Sequence, residues 1–208
     1  MRVELLPPTT TFPKLSKVRA AELLGLGKQP LVNLQAMGLL PDLRVDRVTA
    51  LAARPWVTAD AGLAVVRPGR PGADDDGRLT GLHTSYSDDQ VVEATRKWFV
   101  APVEAVLGGQ HLLVSASTFL VALLYVTGLE ATRDVLTERG TTVRRNAFEA
   151  RLLARVDDLV AGVVRQVAEV PNALASLVAA LGQRVPSPAG APLLVLPPFT
   201  SPASAESG

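Results

Sequence analysis

Six polar residues between positions 28 and 47 have types suited to chemistry: Lys28, Gln29, Asn33, Gln35, Arg44 and Arg47. The chemistry they suit is the reading of a polyanion, with no bond made or broken. An amide near the start of a helix can bridge N6 and N7 of an adenine in the major groove. Gln29, Asn33 and Gln35 are the candidates for that role. Lys28 faces the major groove with them, Arg44 is suited to the phosphate backbone, and Arg47 is the weaker candidate for it. These residue types in this order point to double-stranded DNA as the partner.

The elements needed to position them are legible in residues 14–56. Ser16 can cap a first helix whose apolar positions are Val18, Ala21, Leu23 and Leu24. Ala20 and Ala21 are small enough to let a second helix cross closely. Gly25 can take the left-handed conformation that ends a helix, and Leu26 fills the gap beyond it. Pro30 is tolerated in the first turn of a helix, so the second helix is predicted from Lys28 or Gln29 to Met37. Leu31, Leu34 and Met37 then face inward, which leaves Lys28, Gln29, Val32, Asn33 and Gln35 or Ala36 outward. Gly38 ends that helix. Leu39-Leu40-Pro41 leads into a short wing, Asp42–Val45, followed by another short apolar-periodic stretch.

The run AAELLG, then Asn33 and LQAMGLLPDLRV, resembles the winged helix-turn-helix of MerR-type regulators and phage excisionases. The likeness extends from Val18 to about Ala53. It implies DNA binding, with a recognition helix at 28–37 and a wing carrying Arg44. This chain departs from the pattern at Gly27-Lys28, where the family has Ser or Thr. It departs again at Pro30, where a phosphate-contacting hydroxyl is usual, and in its shortened wing. A small helical unit of the same kind used for protein contacts is the competing reading, and a membrane-anchored regulator is a third.

Charge is unevenly spread. Residues 1–56 hold eight Lys/Arg against four Asp/Glu, whereas the rest of the 208-residue chain holds thirteen against sixteen. A basic head on a mildly acidic body suits phosphate contact. With 48% hydrophobic residues a sizeable core is available, and with 4% aromatics that core must be largely Val, Leu and Ala. Cysteine is absent, which removes disulfides and thiolate metal sites. The only histidines, His83 and His111, give little basis for a metal site. The first residues lack the apolar core of a secretory signal, so a cytoplasmic protein is expected.

Beyond residue 56, Leu63–Val66 reads as a short strand and 66–78 as a flexible loop rich in Pro, Gly and Asp. Asp74, Asp75 and Asp76 in that loop do not follow the alternation of a calcium loop. Ser87-Asp88-Asp89-Gln90 fits a capping box and starts a helix whose face includes Val91, Val92, Thr95, Trp98 and Phe99. Leu107–Leu129 is 23 residues without a formal charge, long enough to span a membrane. The β-forming residues and the central Ser115-Ala116-Ser117-Thr118 favour instead a hairpin of His111–Val114 and Phe119–Thr127. From Arg144 to Val170, apolar residues recur in steps of three and four and predict a long helix. Its stripe from Phe148 to Val170 can pack on a second copy, making a homodimer, or be consumed by the chain's own sheet. Ala173–Leu181 reads as a short helix ended by Gly182.

No catalytic constellation emerges, so a non-enzymatic protein without cofactor or metal is expected. Phosphate-loop and dinucleotide glycine patterns are missing. Ser115 and Ser117 lack the flanking glycines of a nucleophile elbow, and His83 reads as a loop histidine. The expected architecture is α+β. It has an extended arm (1–13), a winged helix-turn-helix (14–56), an α+β body with a β-hairpin and a long C-terminal helix (57–183), and a disordered tail (184–208). The expected function is sequence-specific binding of double-stranded DNA, as a transcriptional regulator or architectural factor.

Overall fold

The computed structural model describes residues 12–74, 77–137, 140–186 and 192–198. The expected N-terminal arm, apart from Phe12 and Pro13, lies outside them, as do Asp75 and Asp76. Helix α1 (Lys17–Leu24) begins at Ser16, whose Oγ accepts from Arg19 N at 3.2 Å, and ends at Gly25 with φ 61°. Helices α2 (Lys28–Ala36) and α3 (Val45–Ala52) follow. Strand β1 (Leu63–Val66) leads to a small hairpin of β2 (Gly72–Ala73) and β3 (Leu79–Thr80). Helix α4 (Asp88–Thr95) starts at the expected capping box, with Ser87 and Gln90 satisfying each other's backbone N–H. Strand β4 (Lys97–Phe99), helix α5 (Val103–Gly109) and strands β5 (His111–Ala116), β6 (Phe119–Leu136), β7 (Thr142–Asp158) and β8 (Val163–Gln166) come next. A 3-10 turn (Asn172–Leu174), helix α6 (Ala175–Ala179) and strand β9 (Leu193–Leu196) complete the described elements.

Seven strands form one mixed sheet in the order β4-β7-β6-β5-β1-β9, with β8 also paired to β7. Among the described strands only β1 and β5 pair in parallel; the other pairs are antiparallel. All six residues of β5 are buried, which suits a strand covered on both faces. The uncharged stretch at 107–129 therefore serves the sheet centre. It forms the hairpin of β5 and β6, with the turn narrowed to Ser117-Thr118. No described helix is long and apolar enough to cross a membrane. Leu24, Leu31, Leu34 and Leu51 from the helices share one apolar core with Leu112, Phe119, Leu123 and Phe148 from the sheet. Each such side chain contributes about 1.5–3 kcal/mol by leaving water.

The sheet-dominated fold overturns the expected architecture in two places. The first is the winged helix-turn-helix. Three short helices form, but no two-stranded wing follows α2. Residues 39–44 make one β-bridge, between Lys14 and Arg44, and Leu39, Leu40 and Leu43 are buried. A wing must stand away from the core, and three leucines in five positions draw this segment into it. The helices are also tied to the sheet. Arg54 donates to the Leu159 and Val160 carbonyls at 3.0 Å each, and Thr84 N donates to Met37 O at 2.9 Å.

The second correction is the long C-terminal helix, which is absent. Residues 142–158 are β7, and after a turn containing Gly162 the chain returns as β8. Phe148, Leu152 and Val156 are spaced by four. Four is close to one helical turn but is also an even number, so the same residues share one face of a strand. All three are buried in the chain's own core, so the stripe expected to make a homodimer is not available there. The helix expected to run to Phe99 stops at Thr95, and Trp98 and Phe99 lie in β4. Part of the expected disordered tail is ordered. Arg184 and Val185 are buried, and β9 pairs with β1 along its whole length.

Candidate functional site, an open face of α2 beside a polar cavity

Helix α2 turns Leu31 and Leu34 into the core and leaves Lys28 and Gln29 exposed, with Asn33 and Gln35 half-buried. Four-residue spacing puts Gln29 above Asn33, and Gln29 Nε2 donates to Asn33 Oδ1 at 2.9 Å. Arg70, from the segment after β1, reaches the same oxygen with its Nε at 2.8 Å. Gly81, at φ 73°, lets the chain pass against Arg70; a Cβ there would run into the Arg70 carbonyl.

Beside this face lies a cavity of about 310 Å³ lined by Pro30, Asn33, Met37, Arg67, Gly69, Ser115, Ser117 and Pro192. Parallel pairing of β1 with β5 brings Arg67 and the two serines together, because each follows or closes the carboxyl end of its strand. Ser117 holds a left-handed backbone, φ 57°, unusual for a residue with a Cβ. Its Oγ donates to the Pro30 carbonyl at 3.0 Å, joining the β5–β6 turn to α2. Ser115 is 2% exposed, and its Oγ has no hydrogen-bond partner among the described residues. Burial holds the Arg67 guanidinium below its ordinary pKa, because charge is costly to keep away from water.

The six sequence-predicted residues divide. Lys28, Gln29 and Asn33 belong to one open surface. Gln35 lies on α2 but outside the cavity lining. Arg44 and Arg47 line a different cavity, together with Asp46, Asp157 and Asp158. Arg44 pairs with Asp46 at 3.1 Å and Asp42 at 3.7 Å, and Arg47 with Asp42 at 3.6 Å. Carboxylates at that distance offset both cations and would repel a phosphate. Arg67, Ser115 and Ser117 were not legible as site residues, since only the β1–β5 pairing gathers them, and Arg70 meets Asn33 only through the folded segment after β1. The one local signal was an arginine directly after the apolar run LAVV.

The histidines are held by the backbone or by a neighbouring serine. His111 Nδ1 meets Gly109 O at 2.8 Å and Nε2 accepts from Ala64 N at 3.4 Å. His83 Nδ1 accepts from Ser85 N at 3.1 Å. Among the described residues no group of three His, Cys, Asp or Glu gathers to hold a metal. No protein-family model matches the chain, and no curated protein or solved structure matches it. The likeness of residues 18–53 to MerR-type regulators and excisionases thus rests on those residues alone.

Proposed function

We propose that this chain is a non-enzymatic protein that binds duplex DNA through the open face of α2, without a wing. The observation that carries this reading is the meeting of Gln29 and Asn33 with Arg70, a cation delivered from a separate segment, on a helix that also exposes Lys28. Gln29 spends one amide N–H on Asn33. Its other N–H and its Oε1 remain, one donor and one acceptor, the pair that matches the major-groove edge of adenine. Lys28 and Arg70 flank it as phosphate contacts. A role in transcriptional regulation or DNA architecture follows from such binding.

Fluorescence anisotropy with duplex DNA across a salt series tests the proposal. Affinity should fall steeply with salt, and Lys28→Ala or Arg70→Ala should each lower the log–log slope by about 1. Gln29→Ala, measured against a selected sequence, should relax preference at one base position by about 1–3 kcal/mol. Absence of duplex binding at about 50 mM salt, where phosphate contacts are strongest, overturns the proposal.

A further inference from the structure

We infer that the free end of the β6–β7 hairpin enters the major groove of duplex DNA, with Arg133 and Arg145 held ready for its phosphates. The choice of duplex DNA as the polyanion rests on the reading of α2 above; the geometry of the two arginines does not.

β6 and β7 continue past the rest of the sheet. β4 meets β7 only at Ala147 and Asn146. Beyond that point residues 133–136 pair with 142–145, and among the described residues no third strand flanks them. Thr137 N donates to Thr141 O at 2.9 Å where the turn closes; Glu138 and Arg139 lie outside the described residues. Bulges between Val126 and Gly128 and between Leu129 and Ala131 bend β6 before this ribbon begins. The major groove is wide enough to admit a ribbon of two strands.

The two faces of the ribbon are charged differently. On one, Asp134 lies opposite Arg144 and accepts from its Nε at 3.2 Å. On the other, Arg133 lies directly opposite Arg145. Like charges placed so destabilise a sheet, so the fold gains nothing from this pair. Glu130, the other carboxylate of β6, binds Arg96 and Lys97 instead. Trp98 holds both arginines. Its ring centroid lies 4.3 Å from Arg133 Cζ, and its carbonyl accepts from Arg145 Nη1 at 3.4 Å. An indole and a carbonyl orient a guanidinium without neutralising it. Arg133 is exposed, and a stacked guanidinium still presents its N–H edge for bidentate contact with phosphate. Nearer the tip, Leu136 is 69% exposed, an apolar side chain able to meet a thymine methyl.

The ribbon is far from α2. Ser117, which bonds Pro30 of α2, precedes β6, and Arg133 lies near the other end of that strand. At about 3.3 Å per residue the strand spans at most about 60 Å. The two contacts therefore meet separate phosphates, and their losses can be measured apart.

Fluorescence anisotropy of the full chain decides the matter, with a labelled duplex longer than the protein, the corresponding single strand, and polyglutamate as competitor. Arg133→Gln with Arg145→Gln should weaken duplex binding at least tenfold at about 0.1 M salt and lower the log–log salt slope by about 2. Lys28→Ala with Arg70→Ala should cause a separate loss. Trp56 and Trp98 are the only tryptophans, so in a Trp56→Phe protein the emission reports Trp98, and it should change as duplex is added. The melting temperature of Arg133→Gln should stay within about 2 °C of wild type; a larger fall would make the pair structural and overturn the inference. Loss in the α2 double variant with undiminished binding by the folded ribbon double variant overturns the inference and leaves the α2 reading standing. Loss in the ribbon double variant alone supports the inference and overturns the α2 reading. No duplex binding by wild type overturns both. Tighter binding of the single strand, displacement of the duplex by polyglutamate at matched charge, or Trp98 emission unmoved by saturating duplex each overturns the inference.

Discussion

Two arginine groups in this molecule are built from the same side chain and do opposite things. Arg155 and Arg165 meet carboxylates. Arg165 binds Asp88 through two nitrogens at 2.9 and 3.0 Å and Asp157 through Nε at 2.8 Å. Arg155, 5% exposed, donates to the Tyr86 and Thr84 carbonyls at 2.7 and 2.9 Å and lies 3.4 Å from Asp88. This group fastens the start of α4 to β7. Arg70 meets an amide, and Arg67 lines a cavity of hydroxyls and that same amide. A cation whose charge is offset within the fold supplies stability. Arg70, bonded to an amide on α2, joins two segments at the surface instead.

The sharpest way to break the comparison is to remove one arginine from each group. Arg155→Ala removes a buried guanidinium that serves two part-buried carbonyls and Asp88, and should cost on the order of 3 kcal/mol in chemical denaturation. Arg70→Ala, at an exposed position, should stay within about 0.5 kcal/mol of wild type. Equal losses would show that both groups are structural. A second test uses acid. Hydrogen bonds from Arg165, with the charges of Arg165 and Arg155, hold the Asp88 carboxyl below the ordinary carboxylate value against the opposing effect of burial. A lowered folded pKa contributes stability that is complete above about pH 4, the unfolded value, and is lost as pH falls through the folded value. Asp88→Asn should lower the melting temperature at neutral pH and flatten its decline below about pH 4. An unchanged acid limb would remove Asp88 from the clamp.

The smallest expected effect sharpens the other side. Ser115→Ala deletes a hydroxyl that has no partner among the described residues, so stability should change by less than about 0.5 kcal/mol in the same denaturation series. A large loss would mean that Ser115 has a structural partner.

Local signals were readable where one residue and its immediate neighbours decide the outcome. Ser16, Gly25, Ser87 with Gln90, and Gly38 act within one turn, and the helices start or stop there. The failures have one physical cause: the deciding contact was distant in sequence. A four-residue apolar spacing at 148, 152 and 156 fits a helix face and a strand face equally, and only pairing with β6 selects the strand. Arg44 looked like a free cation because Asp42 and Asp46 could have pointed elsewhere; folding sets them against it. The tail at 193–196 looked unstructured because its partner is β1, more than a hundred residues earlier.

The candidate site divides in the same way. The sequence by itself determined that Lys28, Gln29 and Asn33 lie on the outer side of a short helix, because Leu31 and Leu34 must face the core. Only the tertiary structure decided what stands beside that helix. Parallel pairing of β1 with β5 sets Arg67, Ser115 and Ser117 against α2 and leaves the cavity between them. Side-chain periodicity is written in neighbouring residues, whereas strand pairing is settled by the burial of the whole core.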